Sequence, residues 1–169
     1  MKVLETDRLN LRWLSTDDAG FILELLNEPS FLRFIGDKGV RTLDDARDYI
    51  LNGPVNMYTR LGFGLYLTEL KESGVPIGIC GLLKRDGLED VDIGFAFLPK
   101  FRGQGYAYES ACAVMAYGKR TFGLNRMVAI TSPDNYGSAR LLEKLGFNFE
   151  RMVKLSDNSA AVSLFASDV

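Results

Sequence analysis

The chain has 169 residues, 47% of them apolar, and its acidic and basic residues nearly balance to a formal charge of −2. That size suits one domain with a continuous core, and the balance removes the broad cationic attraction on which nonspecific nucleic-acid binding rests. Histidine is absent, which excludes Ser-His and Cys-His nucleophile pairs and the HExxH zinc site, and leaves proton transfer to carboxylates, tyrosines, lysines, serines, a cysteine, the substrate or water.

In chain order, LNLRWL alternates in part like a short strand, and Ser15 or Thr16 followed by Asp17 and Asp18 reads as a helix start. The helix is expected to reach about Asn27 and to stop at Pro29, followed by a short apolar patch, FLRFIG. Thr42 ahead of LDDARDYILNG opens a second helix, with Gly53 and Pro54 predicted to end it. Strands follow at Gly62–Leu70 and in IGICGLL, joined by the turn ESGVP, and a third runs from Asp90 to Leu98. A long helix is expected from Gly105 to about Phe122, then the strand RMVAIT, a helix from Asn135 to Leu145 closed by Gly146, and two strands in FNFERMVKL and AAVSLFA. With no repeat or linker, the chain reads as a single α/β (α+β) domain over 1–169, with a mixed, mostly antiparallel sheet. Cys80 and Cys112 lie in apolar patterns and read as two packed thiols. No apolar run is long enough to span a bilayer and MKVLETDRLNLRWL lacks the stretch of a signal peptide, so no membrane association and a cytoplasmic location are expected.

The segment FRGQGYA places Gly103 and Gly105 in a short loop between a strand and a long helix. A Rossmann fingerprint would need glycine or alanine where Tyr108 stands, and no segment supplies the GxxxxGK[ST] of a nucleotide P-loop. What remains is a helix N-terminus, whose unpaired amides and positive dipole end suit an anion that the glycines allow to approach closely. Lys100 and Arg102 add positive charge, so the loop fits a phosphate or pyrophosphate.

KFRGQGYA resembles the Q/R-x-x-G-x-G/A acetyl-coenzyme A motif of the GNAT acyltransferases, preceded in the right order by DIGFAFLP and followed by DNYGSARLLEKLGF. ETDRLNLRWLSTDDA, IGICGL and the spacing from Asn135 through Ser138, Glu143 and Lys144 to Gly146 and Phe147 are similar to the branch of ribosomal-protein N-terminal acetyltransferases that contains RimJ and RimL. The resemblance implies the GNAT fold, a central sheet flanked by about four helices, and an N-acetyltransferase that uses acetyl-CoA, releases coenzyme A and needs no metal. It implies a pyrophosphate on the amides of Arg102, Gly103, Gln104, Gly105, Tyr106 and Ala107, with Lys100 nearby, and a pantetheine arm paired to the strand around Phe97 and Leu98 where neighbouring strands splay apart.

Alternation along the third strand puts Asp92, Gly94 and Ala96 on one face and Val91, Ile93, Phe95 and Phe97 on the other, the second set reading as core. The resemblance gives Asp92 the position of a base that takes the amine's proton, through water because aspartate is short; as plain structure it would mark the solvated start of a strand, and Glu89 and Asp90 are rivals. Asn135 reads as an N-cap, to which the resemblance adds a cofactor contact. It also lets Ser138 hydrogen-bond the leaving thiol, since Leu142 stands where the family often has a tyrosine acid. Tyr136 and water are alternatives for that acid.

The acceptor is expected to be a primary amine, either a protein's N-terminal α-amine or a small amine, and a sensor that binds acyl-CoA without turnover is the non-catalytic alternative. Carboxylates of DDARDY with Asp37 could serve a polyamine, although an ordinary solvated helix face explains them better. Phe31, Phe34 and Tyr58 are candidates for the acceptor pocket. A monomer and a homodimer are both compatible with the sequence.

Overall fold

The computed structural model describes residues 1–168. Its strands are β1 (Lys2–Glu5), β2 (Leu9–Arg12), β3 (Leu65–Leu70), β4 (Pro76–Leu83), β5 (Asp92–Phe97), β6 (Arg126–Thr131), β7 (Asn148–Val153) and β8 (Val162–Asp168). They form one eight-stranded sheet in the order β1-β2-β3-β4-β5-β6-β8-β7. Every neighbouring pair is antiparallel except β5 and β6, which run parallel and are joined at a single register pair, Asp92 with Val128. Beyond that pair the two strands separate, so the β6-facing backbone edge of β5 has no strand partner from Ile93 onward.

The helices are α1 (Ala19–Leu26), α2 (Pro29–Phe34), α3 (Leu43–Ile50), α4 (Asn56–Leu61), α5 (Tyr106–Phe122) and α6 (Tyr136–Lys144). The early helices cover one face of the sheet, where Ile22, Leu25, Ala46 and Ile50 pack with Leu67 and Ile79. The other face carries α5, whose Ala111 and Val114 pack with Tyr66, Cys80, Leu82, Ile93 and Phe97. Each such large aliphatic or aromatic side chain, fully buried, is worth about 1.5–3 kcal/mol. Ser15 with Asp18 and Thr42 with Asp45 form reciprocal capping boxes, the first on a 3-10 turn over Thr16–Asp18 that leads into α1 and the second on α3, each contributing about 1 kcal/mol.

The structure corrects several sequence expectations. Pro29 starts α2 instead of merely ending α1, because at the first helical position the missing proline N–H is one that no turn would use. The expected stop at Gly53 and Pro54 is absent: the chain widens into a π turn over Leu51–Val55 that accommodates Pro54, then continues as α4 until Gly62, at φ +83°, ends it. β1 was not legible, being a four-residue edge strand held by pairing with β2 across an irregularity. These changes give six α-helical segments among the described residues, where about four flanking helices were expected. Cys80 is buried as predicted, but Cys112 lies on the exposed side of α5, and both are free thiols. Among the described residues, no helix is long and apolar enough to cross a membrane.

Candidate active site

The loop that follows β5 is shaped by two glycines. Gly103 (φ +76°) and Gly105 (φ +84°) adopt a conformation that side chains disfavour, and a Cβ at Gly105 would lie 3.2 Å from Nη2 of Arg8. Gly105 is also the N-cap of the 17-residue α5, a position with no side chain to satisfy the helix's first amides. Among the described residues, no protein acceptor meets the N–H groups from Gly103 through Tyr108. A row of free amides at the positive end of a long helix is an anion cradle.

The cradle is braced from the β1–β2 turn. Arg8 donates from Nε to Glu109 Oε1 at 2.7 Å and from Nη1 to the Gln104 carbonyl at 2.9 Å, and its guanidinium lies 4.3 Å from the centre of the Tyr106 ring. Thr6 donates its hydroxyl to Glu109 as well. Burial pushes the Glu109 carboxyl upward, but the hydrogen bonds from Thr6 and Arg8 together outweigh it and hold the group below its ordinary range.

From this loop a cavity of about 820 Å³ runs along the diverging strands, lined by backbone and side chains of Asp92–Phe97, Ala129–Ser132, α2 and α6. Its size is that of a site for a sizeable organic ligand. Of the residues singled out from sequence, Asp92, Phe97, Arg102, Gly103, Gly105, Tyr106, Ala107, Asn135 and Ser138 line it. Leu98, Lys100 and Gln104 do not. Leu98 is 3% exposed, its N–H given to the Ile77 carbonyl and its carbonyl to the Phe101 N–H, so its backbone is already paired. Lys100 is exposed, with its ammonium 5.3 Å from the Phe101 ring centre, and Gln104 donates its side-chain amide to the Lys100 carbonyl. Arg102 lines the cavity but is internally engaged: Nη2 donates to the Phe97 carbonyl and to Ser30 Oγ, both at 2.8 Å, and its N–H goes to the Pro99 carbonyl. The loop's anion-binding capacity therefore lies in its amides rather than in these two cations.

Asp92 stands where β5 touches both neighbours, opposite Leu83 of β4 and Val128 of β6. It is fully buried, which replaces the picture of a solvated strand start. Oδ2 accepts from Arg85 Nε at 3.1 Å, whereas among the described residues Oδ1 has no hydrogen-bond partner. Burial raises the Asp92 pKa above the ordinary carboxylate value, with Arg85 opposing the shift. A buried carboxylate with one unpartnered oxygen is costly to keep, and such groups cluster where a proton must be taken. Its rivals are placed otherwise, Asp90 accepting from Arg126 Nε at 3.1 Å and Glu89 being exposed.

On α6, Asn135 Oδ1 accepts the Ser138 N–H at 3.2 Å, the cap expected from sequence. The Ser138 hydroxyl makes no protein hydrogen bond and lies on the cavity wall one turn further along. Tyr136 is 70% exposed and does not line the cavity, while Leu142 lines it as a buried aliphatic side chain that cannot donate a proton. Phe31 and Phe34 do line it; Tyr58 instead donates to the Leu65 carbonyl and accepts from the Leu14 N–H inside the core. Sequence reasoning missed Arg8, Glu109, Lys38, Tyr49 and Arg85, of which the last three line the cavity. Arg85 and Lys38 sit in polar, glycine-containing turns (KRDG and GDKG) that carry no signal beyond a change of chain direction. Among the described residues, no group of histidine, cysteine, aspartate or glutamate side chains could hold a metal ion.

Comparison with known proteins bears on the family and the fold. The acetyltransferase (GNAT) domain family matches residues 8–148. The uncharacterized protein YkkB of Bacillus subtilis is 30% identical over 166 residues, covering 94% of this chain and 92% of that protein. The [ribosomal protein uS5]-alanine N-acetyltransferase of Escherichia coli is 30% identical over 108 residues, 60% of this chain and 54% of that enzyme. Among solved structures, RimL, a ribosomal L7/L12 α-N-protein acetyltransferase in complex with coenzyme A, superposes with a TM-score of 0.84 at 18% identity, covering 100% of this chain and 98% of that one.

Proposed function

The chain belongs to the GNAT acetyltransferase family, and on that premise we propose that it transfers an acetyl group from acetyl-coenzyme A to a primary amine, the first acceptor class being the α-amine at a protein's N-terminus. The observation that carries this reading is a single cavity whose wall includes both the amide cradle before α5 and Asp92, the buried carboxylate whose Oδ1 has no partner among the described residues.

Acetyl-coenzyme A, when bound, supplies a thioester whose carbonyl a neutral amine can attack directly. The free amides from Gly103 through Tyr108 fit a pyrophosphate, and the unpaired edge of β5 before Phe97 fits an extended amide-containing arm in the manner of an added strand. Asp92 removes the ammonium proton at Oδ1, directly or through one water, while Arg85 holds Oδ2 and fixes the carboxylate's orientation. An α-amine, with an ordinary pKa near 8, asks only modest help of such a base. Ser138 has a free hydroxyl to donate toward a departing thiolate, and Asn135 holds the start of α6 in place.

The protein-N-terminus reading draws on the uS5-alanine N-acetyltransferase among the relatives. A polyamine acceptor loses its support, because none of Asp37, Asp44, Asp45 and Asp48 lines the cavity, and Asp37 pairs with Arg41, Asp44 with Arg47, while Asp45 caps α3. A sensor that never turns over would gain nothing from an unpartnered buried carboxylate oxygen.

The test is release of coenzyme A thiol from acetyl-coenzyme A in the presence of short peptides with free N-termini or of small neutral amines. Thiol release with a mass gain of one acetyl group on the peptide's α-amine is the expected result. Confirmed binding of acetyl-coenzyme A with no release from any amine would overturn the reading.

A further inference from the structure

Six ionised side chains line the cavity, and they are unevenly engaged. Arg102 is held by Phe97 and Ser30, Glu28 lies two residues before that serine, and Lys144 sits 4.3 Å from the centre of the Tyr108 ring on the α6 side. The remaining three are Asp92, Arg85 and Lys38. Arg85 uses only Nε on Asp92, so among the described residues its two Nη groups have no acceptor. Among the described residues, Lys38 has no ion pair and no hydrogen bond. Although Lys38 as a residue is exposed, its ammonium is held below the ordinary lysine range, first by burial and then by the neighbouring Arg85 charge. The Arg85 charge also acts on the Tyr49 hydroxyl, which burial raises.

This end of the cavity thus has one carboxylate and two cations. One positive charge is left without a counter-ion in a partly desolvated place, a costly arrangement unless a ligand completes it. The free groups are of opposite polarity: an acceptor at Asp92 Oδ1, donors at the Nη atoms of the Arg85 that holds Asp92, and Lys38 Nζ near enough to Arg85 to feel its charge. A planar guanidinium fork is suited to carboxylate oxygens, and the ammonium adds a point charge.

We propose that the acceptor carries a carboxylate close to its reactive amine, gripped by Arg85 and Lys38 while the amine faces Asp92 Oδ1. The proposal rests on the acetyl-transfer reading and narrows its substrate. The carboxylate belongs either to a free amino acid or to an acidic side chain beside a peptide's N-terminus. Lys38 is the specificity determinant that can be altered without touching the Asp92–Arg85 pair.

The experiment uses the full chain, acetyl-coenzyme A and two matched acceptor pairs, alanine with alaninamide and Ala-Asp-amide with Ala-Asn-amide. The acid member of at least one pair is expected to have a kcat/KM about tenfold higher or more, the scale of one lost charged hydrogen bond, and the pair that responds identifies the source of the carboxylate. Lys38→Ala should shrink that ratio and Lys38→Glu should turn the preference toward Ala-Lys-amide. Turnover with ratios within about twofold in both pairs, on the same scale, overturns the proposal while leaving the transferase reading intact. Calorimetric binding of the corresponding N-acetylated products separates the two ideas. If no amine is acetylated, tighter binding of the acid products that Lys38→Ala abolishes retains the carboxylate site and rejects the transferase; equal binding rejects both.

Discussion

Arg8 and Glu109 meet at 2.7 Å across 101 positions of sequence, joining the β1–β2 turn to the first turn of α5. The pair holds the free amides of the glycine loop in place before any ligand arrives, and with Thr6 and the Gln104 carbonyl it forms a small network rather than an isolated surface bridge. Arg8→Ala should raise KM for acetyl-coenzyme A about tenfold with a much smaller change in kcat, as expected when about 1.5 kcal/mol of charged hydrogen bonding is removed from a binding loop. Steady-state kinetics at varied donor concentration check this.

The same carboxylate makes a pH prediction. Glu109 titrates below its ordinary value in the folded chain, so its stabilising contribution is present above the unfolded pKa and is lost as pH falls through the folded one. Glu109→Gln should lower the melting temperature at pH 7, and the difference from wild type should shrink as the pH is taken below about 4. Thermal unfolding across that range is the measurement.

Gly105→Val places a Cβ against Arg8 Nη2 at a backbone φ of +84°, and Gly103→Val strains a φ of +76° where space is open. Both should severely weaken coenzyme A binding while leaving the circular dichroism spectrum folded. The Gly105 variant should also disturb the Arg8 brace and lose more stability than the Gly103 variant. Calorimetric titration with coenzyme A gives the affinity; unchanged affinity in a folded variant would remove the loop from the binding site.

Asp92→Asn should cut kcat about 10²–10⁴-fold, the usual reach of general-base catalysis, with little change in coenzyme A affinity. Because burial raises the Asp92 pKa, the ionised carboxylate weighs against folding: its cost is absent below the unfolded pKa and grows as pH rises through the folded one. The asparagine variant should therefore gain stability relative to wild type from acid to neutral pH. Wild-type kcat should fall on the acid side with an apparent pKa above the ordinary aspartate value, and that limb should vanish in the variant.

Asn135 and Ser138 share one hydrogen bond but should fail differently. Asn135→Ala removes the cap on α6 and should cost about 1 kcal/mol of stability. Ser138→Ala leaves the cap acceptor and the serine N–H in place, so it should lower kcat with little effect on melting temperature. A normal kcat would show that the serine hydroxyl does not assist the leaving thiolate.

The residue pattern by itself determined most elements and the cofactor loop, because these are local matters. The long α5 is announced by its glycines and alanine-rich apolar spacing, RMVAIT lies at the bounds of β6 (Arg126–Thr131), and Thr42 and Asn135 cap helices with their own side chains. Local signals also misled: Pro29 and Pro54 suggest helix ends when read alone, but one fits a helix start and the other is absorbed in a π turn. Only the tertiary structure decided that β5 and β6 meet at Asp92 and then part, since that depends on strands placed by the intervening α5. The separation creates the cavity, buries Asp92 and brings it to Arg85. Likewise, Arg8 and Lys38 have no local signature in the sequence; their charged neighbours, Glu109 and Arg85, are brought to them across the fold.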